Sequence, residues 1–183
     1  MQFYDVIQER TSIKQFKDTP LEQNKIARII NAAMMAPSWK NNTSYKIILV
    51  DDKQERERLA NTIHNDSQDA ASAVKTAPMT AVVVANPQMS GQIDGREYYL
   101  VDGAIAMEHL VLAATSEGYG TCWIAAIDEE GIRQMLNIPQ DYRVVAITPI
   151  GEIAEDKAHY PKKNVQEYVF LNQWQNAYAT HIQ

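Results

Sequence analysis

Three short segments carry residue types at spacings that could do chemistry. The first is Arg10-Thr11-Ser12-Ile13-Lys14. In an extended chain alternate residues share a side, so Arg10, Ser12 and Lys14 form one row while Ile13 faces the other way, toward a core. A guanidinium that can chelate, a hydroxyl that can donate and an ammonium that adds charge together suit a phosphate group. The same row also reads as a solvated strand edge. The second segment is Ala36-Pro37-Ser38-Trp39-Lys40-Asn41-Asn42, small polar residues around one aromatic. It can line a planar ligand or serve as an ordinary helix-to-strand loop. The third is Gly118-Tyr119-Gly120-Thr121-Cys122-Trp123-Ile124, whose two glycines allow a close backbone approach or mark a tight turn. It precedes a strand, whereas a dinucleotide fingerprint follows one and opens a helix.

Other reactive groups read as structural. Cys122 has apolar neighbours and no histidine close in sequence, so a buried, inert thiol is expected. His64, His109, His159 and His181 lack metal-ligand spacing. Asp128-Glu129-Glu130 fits a helix start favoured by the macrodipole. The chain has no phosphate-binding loop of the GxxxxGK[ST] type, no nucleophile elbow and no zinc-binding helix.

The elements that must position these segments follow from periodicity. Phe3, Val6 and Ile7 have helical spacing, and this helix should end near Arg10. Thr19, Pro20 and Glu22 predict a capping box with proline at the first helical position. The apolar stripe Ile26, Ile29, Ile30, Ala33 and Met34 follows, with a stop at Pro37. Strands are predicted at Tyr45–Val50, Met79–Ala85, Thr121–Ile127 and Arg143–Ile150. Asp52 should cap a charged helix to about Ile63, and residues 66–76 a weaker one. Residues 97–117 form a long helix apolar on several faces, ending at Gly118. Such a helix is buried centrally or shared with a partner. Asp128 caps a short helix to Leu136. The last thirty residues carry scattered aromatics (Tyr160, Tyr168, Phe170, Trp174, Tyr178) with little periodicity. Such a tail should wrap another surface. The fold expected is α+β: a mixed central sheet of four to five strands with helices on both faces.

The 183 residues are 45% apolar, enough for a core, and suit a single domain with a long tail. A formal net charge of −6 argues against a broad nucleic-acid groove. The opening MQFYDVIQER lacks the pattern of a secretory signal, and no stretch is apolar for long enough to span a membrane. One cysteine forbids an internal disulfide and fits a reducing, cytoplasmic location.

Together the three segments resemble the nitroreductase family of flavoproteins. Arg10, Ser12 and Lys14 match its Arg-x-Ser-x-Arg/Lys stretch. Ala36, Pro37, Ser38 and Asn41 match its Ala-Pro-Ser followed by Asn. Gly118, Gly120, Cys122, Trp123 and Ile124 match its Gly-x-Gly-x-Cys-Trp-Ile. Lys162, Lys163 and Trp174 are similar to the family's basic residues and tail tryptophan near the C-terminus. Trp39-Lys40 stand where many members have Ser-Gly, Thr43-Ser44-Tyr45 where many have Gln-Pro-Trp, and Lys14 where Arg is more frequent.

The resemblance implies one FMN-binding domain over residues 1–183, working as a homodimer, with residues from about 152 to 183 embracing the partner. It implies that Arg10, Thr11, Ser12 and Lys14 hold the phosphate, ribityl chain and pyrimidine edge, and that Lys162 and Lys163 add charge at the phosphate. Pro37, Ser38, Trp39 and Asn41 would come from the other subunit. Backbone near Ile124 and Ala125 would approach the ring, with an N–H near Ile124 serving flavin N5. The implied activity is transfer of hydride from NADH or NADPH to a nitroaromatic, quinone or similar small acceptor by a ping-pong cycle, without a required side-chain acid or base. Flavin storage or sensing without turnover, and dehalogenating or flavin-cleaving chemistry on the same fold, are the alternatives.

Overall fold

The structure, a computed structural model, describes residues 1–65, 67–155, 159 and 163–178. In chain order its elements are α1 (Phe3–Glu9), α2 (Gln23–Met34), a 3-10 turn (Trp39–Asn41), β1 (Tyr45–Val50), α3 (Lys53–Ala60), α4 (Asp69–Thr76) and β2 (Met79–Ala85). They continue with β3 (Gln92–Ile93), β4 (Arg96–Glu97), α5 (Tyr98–Ser116), β5 (Gly120–Thr121), α6 (Glu129–Met135), β6 (Arg143–Gly151) and α7 (Val165–Tyr168).

The core is a four-stranded sheet in the order β1-β2-β6-β5, and each of these neighbouring pairs is antiparallel. Its parallel component is one bridge, Ser12 to Thr121, which adds the first candidate segment at the β5 edge. All seven residues of β2 are buried, as a central strand covered on both faces requires. Its side chains alternate between apolar clusters on the two faces of the sheet. Val82 and Val84 face Leu59, Val74 and Ile132 of α3, α4 and α6. On the opposite face Ala81 packs with Ile29 and Leu110, and Val83 with Met107 and Val111. The architecture is the α+β sandwich that the periodicity predicts.

The strands β1 and β2 have the boundaries expected from sequence, and α3 and α6 are capped by Asp52 and Asp128, whose carboxylates accept from Glu55 N–H and Gly131 N–H. The differences have long-range causes. No capping box forms at Thr19. Instead α2 starts at Gln23 after Glu22, whose N–H donates to the Tyr119 hydroxyl at 3.0 Å. The predicted strand Thr121–Ile127 shrinks to β5 and two isolated bridges, Ile124 to Ile147 and Ile63 to Ile127. The Cys122 N–H donates to Thr148 Oγ1 at 3.2 Å, which takes it out of the ladder. Helix α3 ends at Ala60, three residues short of Ile63, and the β3-β4 hairpin around Asp94-Gly95 is not legible as alternation.

One face of α5 packs on the sheet through Met107, Leu110, Val111 and Ala114, all buried. The other face leaves Leu100 and Val101 nearly half exposed. Phe3 of α1 extends this apolar surface, and Tyr4 and Ile7 of the same helix are also exposed. Among the described residues no helix is long and apolar enough to cross a membrane.

Candidate functional site

The first segment is held where the sequence places it. The Ile13 N–H donates to Thr121 O at 2.8 Å, and Ile13 is buried with Phe16, Ala73 and Ala77. Arg10, Thr11, Ser12 and Lys14 are half-buried around the buried Ile13. The approach to β5 depends on Gly120. A Cβ there would lie 2.8 Å from Ile13 Cγ1 and 2.9 Å from Ile153 Cγ1. The Arg10 guanidinium has no ion-pair or hydrogen-bond partner among the described residues. A half-buried cation without a counter-charge is what a phosphate site requires before its anion arrives. Lys14 differs, since its Nζ donates to Asp69 Oδ2 at 3.1 Å. Asp69 opens α4 and was not singled out from the sequence. Its carboxylate shares the charge of Lys14 with any ligand at this edge.

The second segment is an irregular loop pinned from several directions. At its start the Tyr45 hydroxyl donates to Ala33 O at 3.0 Å and closes the end of α2. Burial, and secondly the charge of Asp102, pushes this phenol up from its usual value, so it stays a neutral donor. Within the loop the Thr43 N–H donates to Ser38 Oγ at 2.8 Å. The Trp39 N–H donates to Asp102 Oδ1 at 2.7 Å, and Asp102 Oδ2 accepts from Ser44 Oγ at 2.7 Å and from Ser90 Oγ at 2.9 Å. Lys40, Asn41 and Thr43 have φ of 47°, 60° and 49°. The left-handed region costs a non-glycine residue roughly 1–3 kcal/mol. Asn tolerates it best, and β-branched Thr is a marked outlier. The tertiary hydrogen bonds must offset this strain. Pro37 and Asn41 are exposed, while Ser38 and Trp39 are half-buried.

In the third segment Ile124 is buried, and its N–H donates to Ile147 O at 3.0 Å. That amide is therefore committed to the sheet and does not serve a ligand. The N–H groups of Trp123 and Ala125 have no partner among the described residues, and both residues are exposed at the surface. The amides left open around Ile124 are thus those of its two neighbours. Of the tail lysines, Lys163 lies with its Nζ 5.0 Å from the centre of the Tyr168 ring. Lys162 lies outside the described residues.

Two grooves join the second segment and Trp123 of the third to the open face of α5. One, of about 210 Å³, is lined by Pro37, Ser38, Trp39, Tyr98 and Asp102 with Val101 and Ile105. The other, of about 680 Å³, shares Val101 and Ile105 and reaches Phe3 and Trp123. The loop and the α1 end of the molecule therefore open on one continuous apolar surface.

Residues 7–152 match the Nitroreductase family. The chain belongs to this family. Among solved structures it is similar to a nitroreductase family protein from Clostridium novyi NT, at 49% identity and a TM-score of 0.83 over 97% of each chain. It is also similar to an FMN-dependent nitroreductase from Clostridium difficile R20291, at 27% identity and a TM-score of 0.81 over 92% of this chain and 98% of that one. A putative NADH dehydrogenase/NAD(P)H nitroreductase from Methanothermobacter thermautotrophicus is 28% identical over 160 residues, 85% of this chain and 80% of that protein.

In this nitroreductase-family chain the structure sets Arg10, Thr11, Ser12 and Lys14 along one edge of the β5 end. It gathers Pro37, Ser38, Trp39 and Asn41 in the loop beside α5. Sequence reading missed Asp102, Asp69, Tyr98 and Ser90. The one signal for Asp102 was an acid among the apolar residues of the first turns of α5, since a buried acid must find donors.

Proposed function

We propose that the chain binds FMN between two copies of itself and, in the cytoplasm, uses NADH or NADPH to reduce a small planar acceptor such as a nitroaromatic or quinone. The observation that carries this reading is the unpaired Arg10 guanidinium beside Ser12 on a strand whose close approach Gly120 permits. The similar FMN-dependent nitroreductase of Clostridium difficile and the NAD(P)H nitroreductase of Methanothermobacter support the cofactor and the electron donor.

Arg10, Thr11 and Ser12 would hold the phosphate and ribityl chain by charge-assisted and neutral hydrogen bonds. Lys163, and Lys162 with it, would add charge at the phosphate. Lys14, steadied by Asp69, would sit toward the pyrimidine edge, where a fixed cation favours negative charge. The open N–H of Trp123 or Ala125 would face the ring. Pro37, Ser38, Trp39 and Asn41 would come from the second copy and exclude water from the other side. When bound, FMN supplies the relay that takes two electrons and a proton from the nicotinamide and yields them to the acceptor. No side chain of the site has to act as acid or base.

The second copy is the partner that fits the exposed apolar face formed by Leu100, Val101 and Phe3. The described tail offers Tyr168, Leu171 and Trp174, all at least half exposed, to the same partner. The whole chain then works as one flavin-binding unit whose last thirty residues clasp its twin.

The test is the absorption spectrum of the purified protein before and after anaerobic NADH or NADPH. Flavin bands that bleach are expected. Absence of bands after soaking with FMN would overturn the reading, and bands that neither nucleotide bleaches would turn it toward storage or sensing.

A further inference from the structure

We propose that Asp102 is a positioning residue for the flavin: it fixes the Trp39 loop in the shape that presents Trp39 and Asn41 to FMN held by the second copy. This rests on the FMN reading above.

Asp102 is 3% exposed on a helix that is otherwise almost wholly apolar around it. No Lys, Arg or His pairs with it among the described residues. A buried carboxylate in that setting is strongly unfavourable unless donors surround it. Its three donors come from two separate stretches of chain: the Trp39 amide and the Ser44 hydroxyl at either end of the loop, and the Ser90 hydroxyl. Two of them bracket the left-handed residues Lys40, Asn41 and Thr43. The loop contains no glycine to adopt that path freely, so its shape is imposed from outside. The third donor fixes the residue before Gly91. A Cβ at Gly91 would fall inside the Trp39 indole, so the bare glycine makes the seat for that ring. The other wall of the seat is Tyr98, whose ring centre lies 4.6 Å from that of Trp39. One carboxylate therefore locks the loop, the seat of its aromatic residue and the start of α5 into a single unit. It also lines the groove beside Ser38 and Trp39. An apolar residue would serve the packing of α5 better. The carboxylate is explained by the loop it holds.

The experiment is an FMN titration of the full-length protein, with Asp102→Ala and Asp102→Asn each made alone and in the Asn41→Ala and Arg10→Ala backgrounds. Asp102→Asn keeps an oxygen for the Trp39 N–H, and both serine hydroxyls can turn to accept from its amide. It should bind FMN within about threefold of wild type, whereas Asp102→Ala should lose about tenfold or more. Because Asp102 acts through the loop, the Asp102→Ala loss should shrink in the Asn41→Ala background and persist in full in the Arg10→Ala background. A general weakening of the fold would give the same loss in both. If Asp102→Ala does not fold, Ser90→Ala replaces it, with an expected loss of about threefold that also shrinks beside Asn41→Ala. Wild-type affinity in Asp102→Ala or in Ser90→Ala, or equal losses in both backgrounds, would overturn the inference. A wild-type protein that binds no FMN would instead overturn the function on which it rests.

Discussion

The strand Arg10–Lys14 and the loop Pro37–Ser44 are the two halves of the candidate site, and they are built on opposite principles. The strand is simple. Ile13 and Phe16 anchor it in one small core, and ordinary bridges to Thr121 and Ile153 set its place. Its Arg10 guanidinium stays available because no described residue pairs with it, while Lys14 is shared with Asp69. The loop has three left-handed non-glycine residues, and a carboxylate sixty-three positions from Trp39 holds it. A binding half-site can thus come from regular structure that leaves a cation unpaired. It can also come from irregular structure whose strain is carried by a distant buried charge.

The sharpest way to break this comparison is Arg10→Ala. It should weaken FMN binding by roughly 1.5–3 kcal/mol, about ten- to a hundredfold, with little change in thermal stability. Retention of full flavin content would remove the strand from the site. Gly120→Ala attacks the scaffold of the strand rather than its chemistry. Placing a Cβ 2.8 Å from Ile13 Cγ1 should cost about 1–3 kcal/mol in denaturant unfolding. An unchanged midpoint would show that the strand can yield without penalty. For the loop, Thr43→Gly should relieve its φ of 49° and raise stability by up to about 1 kcal/mol, provided the Thr43 amide keeps its bond to Ser38. A loss of stability would mean that Thr43 sits there without strain.

The smallest effect concerns the helix that delivers the loop. Arg28 grips Glu117 with two hydrogen bonds of 2.7 Å, tying α2 to the end of α5, and this holds the Glu117 carboxyl below its usual value. A lowered folded-state value means that the contribution is present above the ordinary carboxylate range and is lost as pH falls through the lowered value. The melting temperatures of wild type and Glu117→Gln should differ slightly at neutral pH and converge in acid. A gap that widens in acid would reverse the sign. Both groups are solvated, so the gap should be small.

The same contrast explains what could be read in advance. Periodicity reached β1, β2, α5 and the row at Arg10 because each is fixed by neighbours in sequence facing one core. It overran at Thr121–Ile127, where the Thr148 hydroxyl takes a ladder amide, and at Thr19, where Tyr119 replaces a local cap. The loop residues Pro37, Ser38, Trp39 and Asn41 stood out as small polar residues around an aromatic, a composition that fits an ordinary loop equally well, and their likeness to a family motif decided between the two. Asp102, Ser90 and Gly91 were hidden because their roles exist only once three distant stretches meet. Lys14 was visible as a cation, but its bond to Asp69 was not.

The central claim is that the strand of one chain and the loop of another complete each site. Arg10→Ala chains and Trp39→Ala/Asn41→Ala chains, co-expressed with different tags, can be isolated as mixed dimers. Each mixed dimer then carries one doubly defective site and one intact site, so it should bind about half the wild-type FMN while both parent dimers bind little. Mixed dimers that bind no more flavin than the parents, or chains that never pair, would contradict the claim.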